Sequence, residues 1–218
     1  RGFRAVAFDT PGYGLSDDLL VRAPTVAGYA ERLNRAVAAF EPSRCVLVGA
    51  HTGAAIATEL ARGALVEVAS CAVLSGVPLF SKEEIQYYRS VIRESVIEGD
   101  GSHFMSEWRL RSQRWGEDTD PKLLHLALVD QMLVYRGSHR AHEAVFRYDM
   151  AAGLQSVGCP VLLINGEGDL LAPNDRRSKE LLPDATLRLI PDLGGQLSYR
   201  SPELFAREIF HFARQSMN

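Results

Sequence analysis

The chain has few of the features that mark disulfide-rich, metal-binding or membrane proteins. Only three of its 218 residues are cysteines, and their number and spacing match neither a disulfide framework nor a metal motif. We expect Cys45, Cys71 and Cys159 to be buried, reduced thiols that act as small hydrophobic residues. No apolar run approaches the roughly 18 to 20 residues that span a bilayer, and no signal peptide is recognisable. These absences predict a cytoplasmic protein without a membrane partner.

Charge of either sign is also modest. The formal net charge is -3, and Arg176 and Arg177 form the only adjacent basic pair, so no basic patch is indicated. A nucleic-acid partner is therefore not expected. Apolar residues make up 46% and charged residues 23%, which is the balance of an ordinary globular domain. Four of the six histidines lie between residues 103 and 142 without metal-ligand spacing, so no metal site is predicted.

The hydrophobic pattern alternates between strands and helices. Five short apolar runs predict strands at residues 4–8, 45–48, 71–74, 161–164 and 186–190. Helical spacing predicts a helix over residues 25–40, and richness in alanine predicts one over residues 53–65. Ser201 with Pro202 opens a final helix as N-cap and first helical residue. This alternation predicts an α/β fold with a mostly parallel, doubly wound sheet that is covered on both faces.

One long stretch, residues 77–150, carries helical spacing but no clear strand. We interpret it as a helical lid inserted into a core formed by residues 1–76 and 151–218. Both tryptophans, Trp108 and Trp115, lie in this segment, where they serve either to line an apolar cavity or to pack the lid on the core.

Three motifs, taken in order, resemble the α/β-hydrolase superfamily. They are F-D-T-P-G-Y-G-L-S-D at residues 8–17, G-A-H-T-G at residues 49–53 and N-G-E-G-D at residues 165–169. The second is similar to that family's nucleophile elbow, and the third is similar to the turn that supplies its catalytic acid, here Asp169. The resemblance implies a small, fairly apolar carbonyl compound as ligand and no cofactor. Oligomeric state is left open.

The chain departs from the family pattern at three points. His51 stands where the nucleophilic serine is expected, and Gln196 stands in the expected histidine loop. The family's N-terminal strands have no counterpart, and in that fold a strand from this region lies between the fourth and fifth strands. We therefore expect roughly 50 to 70 further residues to precede this sequence.

Several functions remain open at this stage. A Ser-His-Asp acyl-enzyme route is excluded at these positions, because Gln196 does not titrate. Instead, His51 and Asp169 can form a pair that activates water directly, with the Thr52 N–H as oxyanion donor and Gln196 as a substrate-binding group. The main alternative is a non-catalytic protein that binds a small molecule or a partner. A purely structural role and non-hydrolytic chemistry on the same scaffold also remain open.

Overall fold

The centre of the molecule is one parallel β-sheet. The computed structural model describes residues 2–19, 21–63, 65, 67–92, 96–116, 119–134 and 139–217. Four strands pair in the order β1-β2-β3-β4, with β1 at Cys45–Ala50, β2 at Ala69–Ser75, β3 at Val161–Gly168 and β4 at Thr186–Gly194. All neighbouring pairs are parallel, so the predicted α/β fold with a parallel sheet is confirmed.

Ten helices surround the sheet in the described part of the chain. They are α1 (Val26–Ala38), α2 (Thr52–Arg62), α3 (Lys82–Val91), α4 (Ser102–Trp115), α5 (Pro121–Met132), α6 (Arg140–Phe146), α7 (Met150–Gln155), α8 (Ala172–Leu181), α9 (Leu197–Arg200) and α10 (Pro202–Ser216). Thr25 caps α1 by accepting the Gly28 N–H at 3.0 Å. Ser201 precedes α10 as predicted but its side chain makes no capping bond, while Pro202 occupies the first helical position.

The two faces of the sheet bury separate apolar clusters. Successive strand residues point to opposite faces, so Leu74 and Leu163 pack on the side of α1, α2 and α7. Val73 and Ile164 point the other way and pack against α9 and α10. The sheet is therefore covered on both faces, as its nearly continuous apolar strands require.

The first predicted strand is not a strand. Residues 4–8 are exposed and pair with no strand in the described part of the chain. Two of them instead contact an aromatic ring. The Arg4 guanidinium lies 4.8 Å from the centre of the Phe40 ring, and Phe8 packs edge-on against the same ring at 6.1 Å. An apolar run shows that a segment suits a strand, but a strand also needs a paired neighbour, and the sequence pattern does not report pairing.

The described residues between β2 and α7 form helices and the loops that connect them, with no strand. The segments α3, α4, α5 and α6 lie in the region interpreted as a lid. The division into core and lid remains a prediction about these helices.

In the described residues no helix is long and apolar enough to cross a membrane.

The three cysteines are free, and their burial differs from the expectation. Cys71 is buried, and burial raises the pKa of its thiol to about 11. Cys45 and Cys159 are only half-buried.

Candidate active site

A strained turn carries His51 from β1 directly into α2. The backbone of His51 has φ 51° and ψ -114°, a conformation that costs a non-glycine residue on the order of 1–3 kcal/mol. Its N–H donates to the Ser75 carbonyl at 2.8 Å, which ties the turn to the end of β2. The turn therefore projects the imidazole at the carboxyl end of the sheet, where parallel α/β proteins bind ligands.

Two glycines leave the space that this turn needs. A Cβ added at Gly49 would lie 2.1 Å from the Gly53 carbonyl oxygen, so α2 approaches β1 more closely than any side chain permits. A Cβ added at Gly76, where φ is +66°, would lie 2.5 Å from Cδ2 of His51. The imidazole is thus packed along the backbone of Gly76.

We predict that Gly49→Ala destabilises the protein while Gly53→Ala does not. The alanine methyl at position 49 meets backbone, so the free energy of unfolding is expected to fall by about 1–3 kcal/mol or more. Nothing lies within 4 Å of a Cβ at Gly53, so this helical glycine is a matched control that should gain about 0.5–1 kcal/mol. Urea unfolding of the two variants checks the prediction, and equal stabilities would contradict it.

The His51 imidazole contacts the carboxylate of Asp169. Nε2 of His51 lies 3.2 Å from Oδ2 of Asp169, which is the contact suggested by the sequence. The Asp169 side chain is only 2% exposed, whereas that of His51 is 36% exposed. The carboxylate is therefore shielded from solvent while the ring that it orients remains accessible.

Hydrogen bonds and charge keep Asp169 ionised in spite of burial. Burial alone raises the pKa of this carboxyl, but the hydrogen bond and charge of His51 and the Leu171 N–H, at 2.8 Å, outweigh burial. The net result is a pKa below the ordinary aspartate value. An ionised carboxylate only accepts hydrogen bonds, so Nε2 of a neutral His51 carries the proton and Nδ1 carries the free lone pair.

A second buried carboxyl lies beneath this pair. Asp175 on α8 has no exposed surface, and its Oδ1 accepts the Val77 N–H at 2.8 Å. Its Oδ2 accepts a 2.9 Å hydrogen bond from Nδ2 of Asn165, whose Oδ1 accepts the Gly166 N–H. Burial raises the pKa of Asp175 to about 6, with the Asp169 charge adding to the effect and the hydrogen bonds and His51 opposing it. This network joins α8 to the ends of β2 and β3.

Stability should fall as Asp175 titrates. Its folded pKa of about 6 lies above the ordinary 3.8, so the folded state keeps a proton that the unfolded chain releases. Stability is therefore lost as the pH rises from about 4 to about 6. Relative to Asp175→Asn, which does not titrate there, the wild-type free energy of unfolding should drop by roughly 2 kcal/mol between about pH 4 and pH 7. Urea unfolding across this range measures the difference; a constant difference would contradict the assignment.

Gln196 approaches the same carboxylate through its backbone. Gln196 adopts a left-handed conformation with φ 65°, and its N–H donates to Oδ2 of Asp169 at 3.3 Å. A Cβ at the preceding Gly195 would lie 2.7 Å from that oxygen, so only glycine permits this approach. Asp169 therefore holds both the elbow residue and the loop of Gln196.

A small cavity adjoins this loop. It has a volume of about 190 Å³ and lies where α4 and α5 meet Gln196 and α9. Its lining includes Tyr13, Arg111, Trp115, Gln131, Gln196 and Tyr199. Trp115 thus lines a cavity, which was one of its two expected roles.

Thr52 occupies the first position of α2. The N–H at such a position has no acceptor within the helix, and the helix dipole places partial positive charge there. The structure thus places the Thr52 N–H next to the His51 turn.

In the described residues no group of three or more His, Cys, Asp or Glu side chains is arranged to hold a metal ion.

Comparison with known sequences identifies the family. A sequence model described as "Alpha/beta hydrolase family" matches residues 1–208. The chain belongs to the alpha/beta hydrolase family. One relative, the pimeloyl-[acyl-carrier protein] methyl ester esterase of Nitrosospira multiformis, is 24% identical over 225 residues, covering 97% of this chain and 85% of the relative.

Solved structures show the same alpha/beta hydrolase architecture. MenH from S. aureus superposes with a TM-score of 0.76 at 18% identity, covering 96% of this chain and 83% of that one. The esterase RhEst1 from Rhodococcus sp. ECU1013 superposes with a TM-score of 0.74 at 18% identity, covering 94% and 78%. At these identities the similarity establishes the fold.

Sequence reasoning missed three residues of this alpha/beta hydrolase site. Asn165 and Asp175 form the buried support, and Arg111 contributes a guanidinium to the cavity. Asn165 was visible as the first residue of the N-G-E-G-D motif. Neither Asp175 nor Arg111 has a sequence signal, because polar residues in helices usually face solvent.

Proposed function

We propose that this protein hydrolyses small esters or related carbonyl compounds, with His51 and Asp169 activating a water molecule. The observation that carries the proposal is the 3.2 Å contact between an ionised, buried carboxylate and an accessible imidazole on the elbow turn. This is the arrangement in which a carboxylate fixes the tautomer of a general base.

The proposed reaction begins with removal of a proton from water by Nδ1 of His51. The water oxygen forms a bond to the substrate carbonyl carbon, and the electron pair of the C=O bond moves to oxygen. Asp169 stabilises the imidazolium that results. The Thr52 N–H, at the positive end of α2, is the oxyanion donor.

Collapse of the tetrahedral intermediate completes the proposed reaction. The carbonyl re-forms, the bond to the leaving oxygen breaks, and the proton on His51 passes to that oxygen. The products are a carboxylic acid and an alcohol, without a covalent enzyme intermediate. Gln196 has no proton to transfer, so its proposed role is to bind substrate at the cavity with its amide.

The relatives support the class of substrate. One relative is named a methyl ester esterase, and a protein with a similar structure is described as an esterase. Both names refer to enzymes that act on esters. Because His51 stands where a nucleophilic serine is expected, the proposed mechanism uses an activated water molecule instead of a serine nucleophile.

The test is steady-state hydrolysis of 4-nitrophenyl acetate and butyrate by the wild-type protein and by variants of His51 and Asp169. Turnover that requires both side chains supports the proposal. Turnover that needs neither contradicts it. A small molecule that binds saturably but yields no product supports the alternative, a binding protein on a hydrolase scaffold, which is favoured by the absence of serine at the elbow.

A further inference from the structure

A half-buried arginine lines the cavity beside Gln196. Arg111 of α4 has a fully buried Nε without a hydrogen-bond partner among the described residues. One of its terminal nitrogens donates to Oε1 of Gln131 at 3.3 Å, and its guanidinium carbon lies 5.5 Å from the centre of the Trp115 ring. The side chain is thus held in place with hydrogen-bonding capacity left over.

The positive charge of Arg111 is not balanced by a close carboxylate. Burial lowers the pKa of Arg111, and the charges of Glu107 and Asp130 only partly oppose this. No described carboxylate lies within 4.0 Å of the guanidinium in an ion pair. Asp130 also lines the cavity, but it is exposed to solvent, which screens its charge. A half-buried guanidinium with a buried Nε and no described ion-pair partner keeps hydrogen-bonding capacity and charge for an anion supplied by a ligand.

We propose that this cavity binds the free carboxylate of a small acidic substrate, with Arg111 as the charged partner. A carboxylate can take two parallel N–H bonds from the planar guanidinium, and one negative charge matches one arginine. The volume of about 190 Å³ fits a short ligand, since drug-sized pockets start at about 300 Å³.

The loop of Gln196 sets the orientation of such a substrate. Gln196 lines the cavity, and its N–H contacts the Asp169 carboxylate that holds His51. In the proposed pose, a ligand anchored at Arg111 points its other end past Gln196 toward His51, because Gln196 links the cavity to the carboxylate that contacts His51. The inference rests on the proposed hydrolysis where it concerns substrates. It predicts a preference for esters that carry a free carboxylate at the end away from the ester group.

The experiment compares charged and neutral substrates of the same shape. The substrates are monomethyl succinate, glutarate and adipate beside the same methyl esters with the free acid converted to an amide. The variants are Arg111→Gln, Arg111→Lys and, as a matched control on the same helix, Arg109→Gln, which removes an exposed charge. For the best acid ester, Arg111→Gln should lower kcat/KM about 10- to 100-fold, mainly through KM.

The other variants and the amides complete the expected pattern. Arg111→Gln should lower kcat/KM much less for the amide esters than for the acid esters, and urea unfolding curves verify that the variant is folded. Arg111→Lys should retain part of the preference for acids, and Arg109→Gln all of it. Equal kcat/KM for acids and amides in the wild type, or equal losses in Arg109→Gln and Arg111→Gln, would overturn the inference.

Direct binding separates this inference from the proposed catalysis. Calorimetric titration with glutarate, glutaramide and inorganic phosphate needs no turnover. Binding of glutarate that Arg111→Gln abolishes supports the carboxylate site even if no ester is hydrolysed. Hydrolysis of neutral esters without glutarate binding would retain the proposed function and refute the site. Tighter binding of phosphate than of glutarate would also refute it.

Discussion

Replacing His51 with alanine is expected to lower kcat for 4-nitrophenyl acetate by roughly 100- to 10,000-fold, which is the usual contribution of a general base. The substitution removes the ring that contacts Asp169 but leaves the other acceptor bonds of that carboxylate in place. It also leaves the Thr52 N–H at the start of α2. Residual activity should therefore reflect binding and oxyanion stabilisation alone.

Two further variants sharpen the His51 experiment. Asp169→Asn presents an amide to Nε2 and no longer fixes the tautomer, so it should lose activity by a similar factor. His211→Ala removes an exposed histidine on α10 and should leave kcat unchanged. Stopped-flow and steady-state rates, with unfolding curves to verify folding, measure all three. Full activity in His51→Ala would refute the mechanism.

The double variant His51→Ser with Gln196→His should gain covalent chemistry. The serine would occupy the elbow, and histidine tolerates the left-handed backbone found at residue 196. With the native ring gone, Oδ2 of Asp169 becomes available to a ring at residue 196, whose backbone N–H it already accepts at 3.3 Å. All three groups of a Ser-His-Asp triad would then meet at one place.

We expect an initial burst of 4-nitrophenol close to one equivalent of enzyme in the double variant. Its acylation rate should exceed that of either single variant by roughly 100-fold or more, because serine needs the base and the base needs the nucleophile. An acyl adduct on intact protein, detected by mass spectrometry, identifies the attacking residue. A burst in His51→Ser alone would show that Gln196 is not the residue that blocks acylation.

Much of the architecture could be predicted from the sequence because its signals are local. Four apolar runs became β1 to β4, and the turn at His51 was recognisable from Gly49 and Gly53. The contact of His51 with Asp169 could be expected from the family resemblance, since both residues lie at the carboxyl end of one parallel sheet, at the ends of β1 and β3 with β2 between them. Their catalytic role stays a prediction.

Other features depend on three-dimensional neighbours that a single sequence does not display. Residues 4–8 have strand-like composition, but composition does not supply a pairing partner. Asp175 is fully buried because α8 turns it toward Asn165 and Val77, and no local pattern shows that direction. Arg111 lines a cavity only because α4, α5 and the segment of Gln196 meet around it, and the sequence does not show that these segments meet.

The Asp169 carboxylate also sets the order in which the site can be completed during synthesis. His51 precedes Asp169 by 118 residues, and Gln196 follows Asp169 by 27. A ribosome adds about 5–20 residues per second, so the elbow leaves the ribosome on the order of 6–24 seconds before its carboxylate partner. A nascent chain thus carries His51 well before the carboxylate that contacts it, and under the proposed mechanism no oriented base forms until Asp169 has emerged.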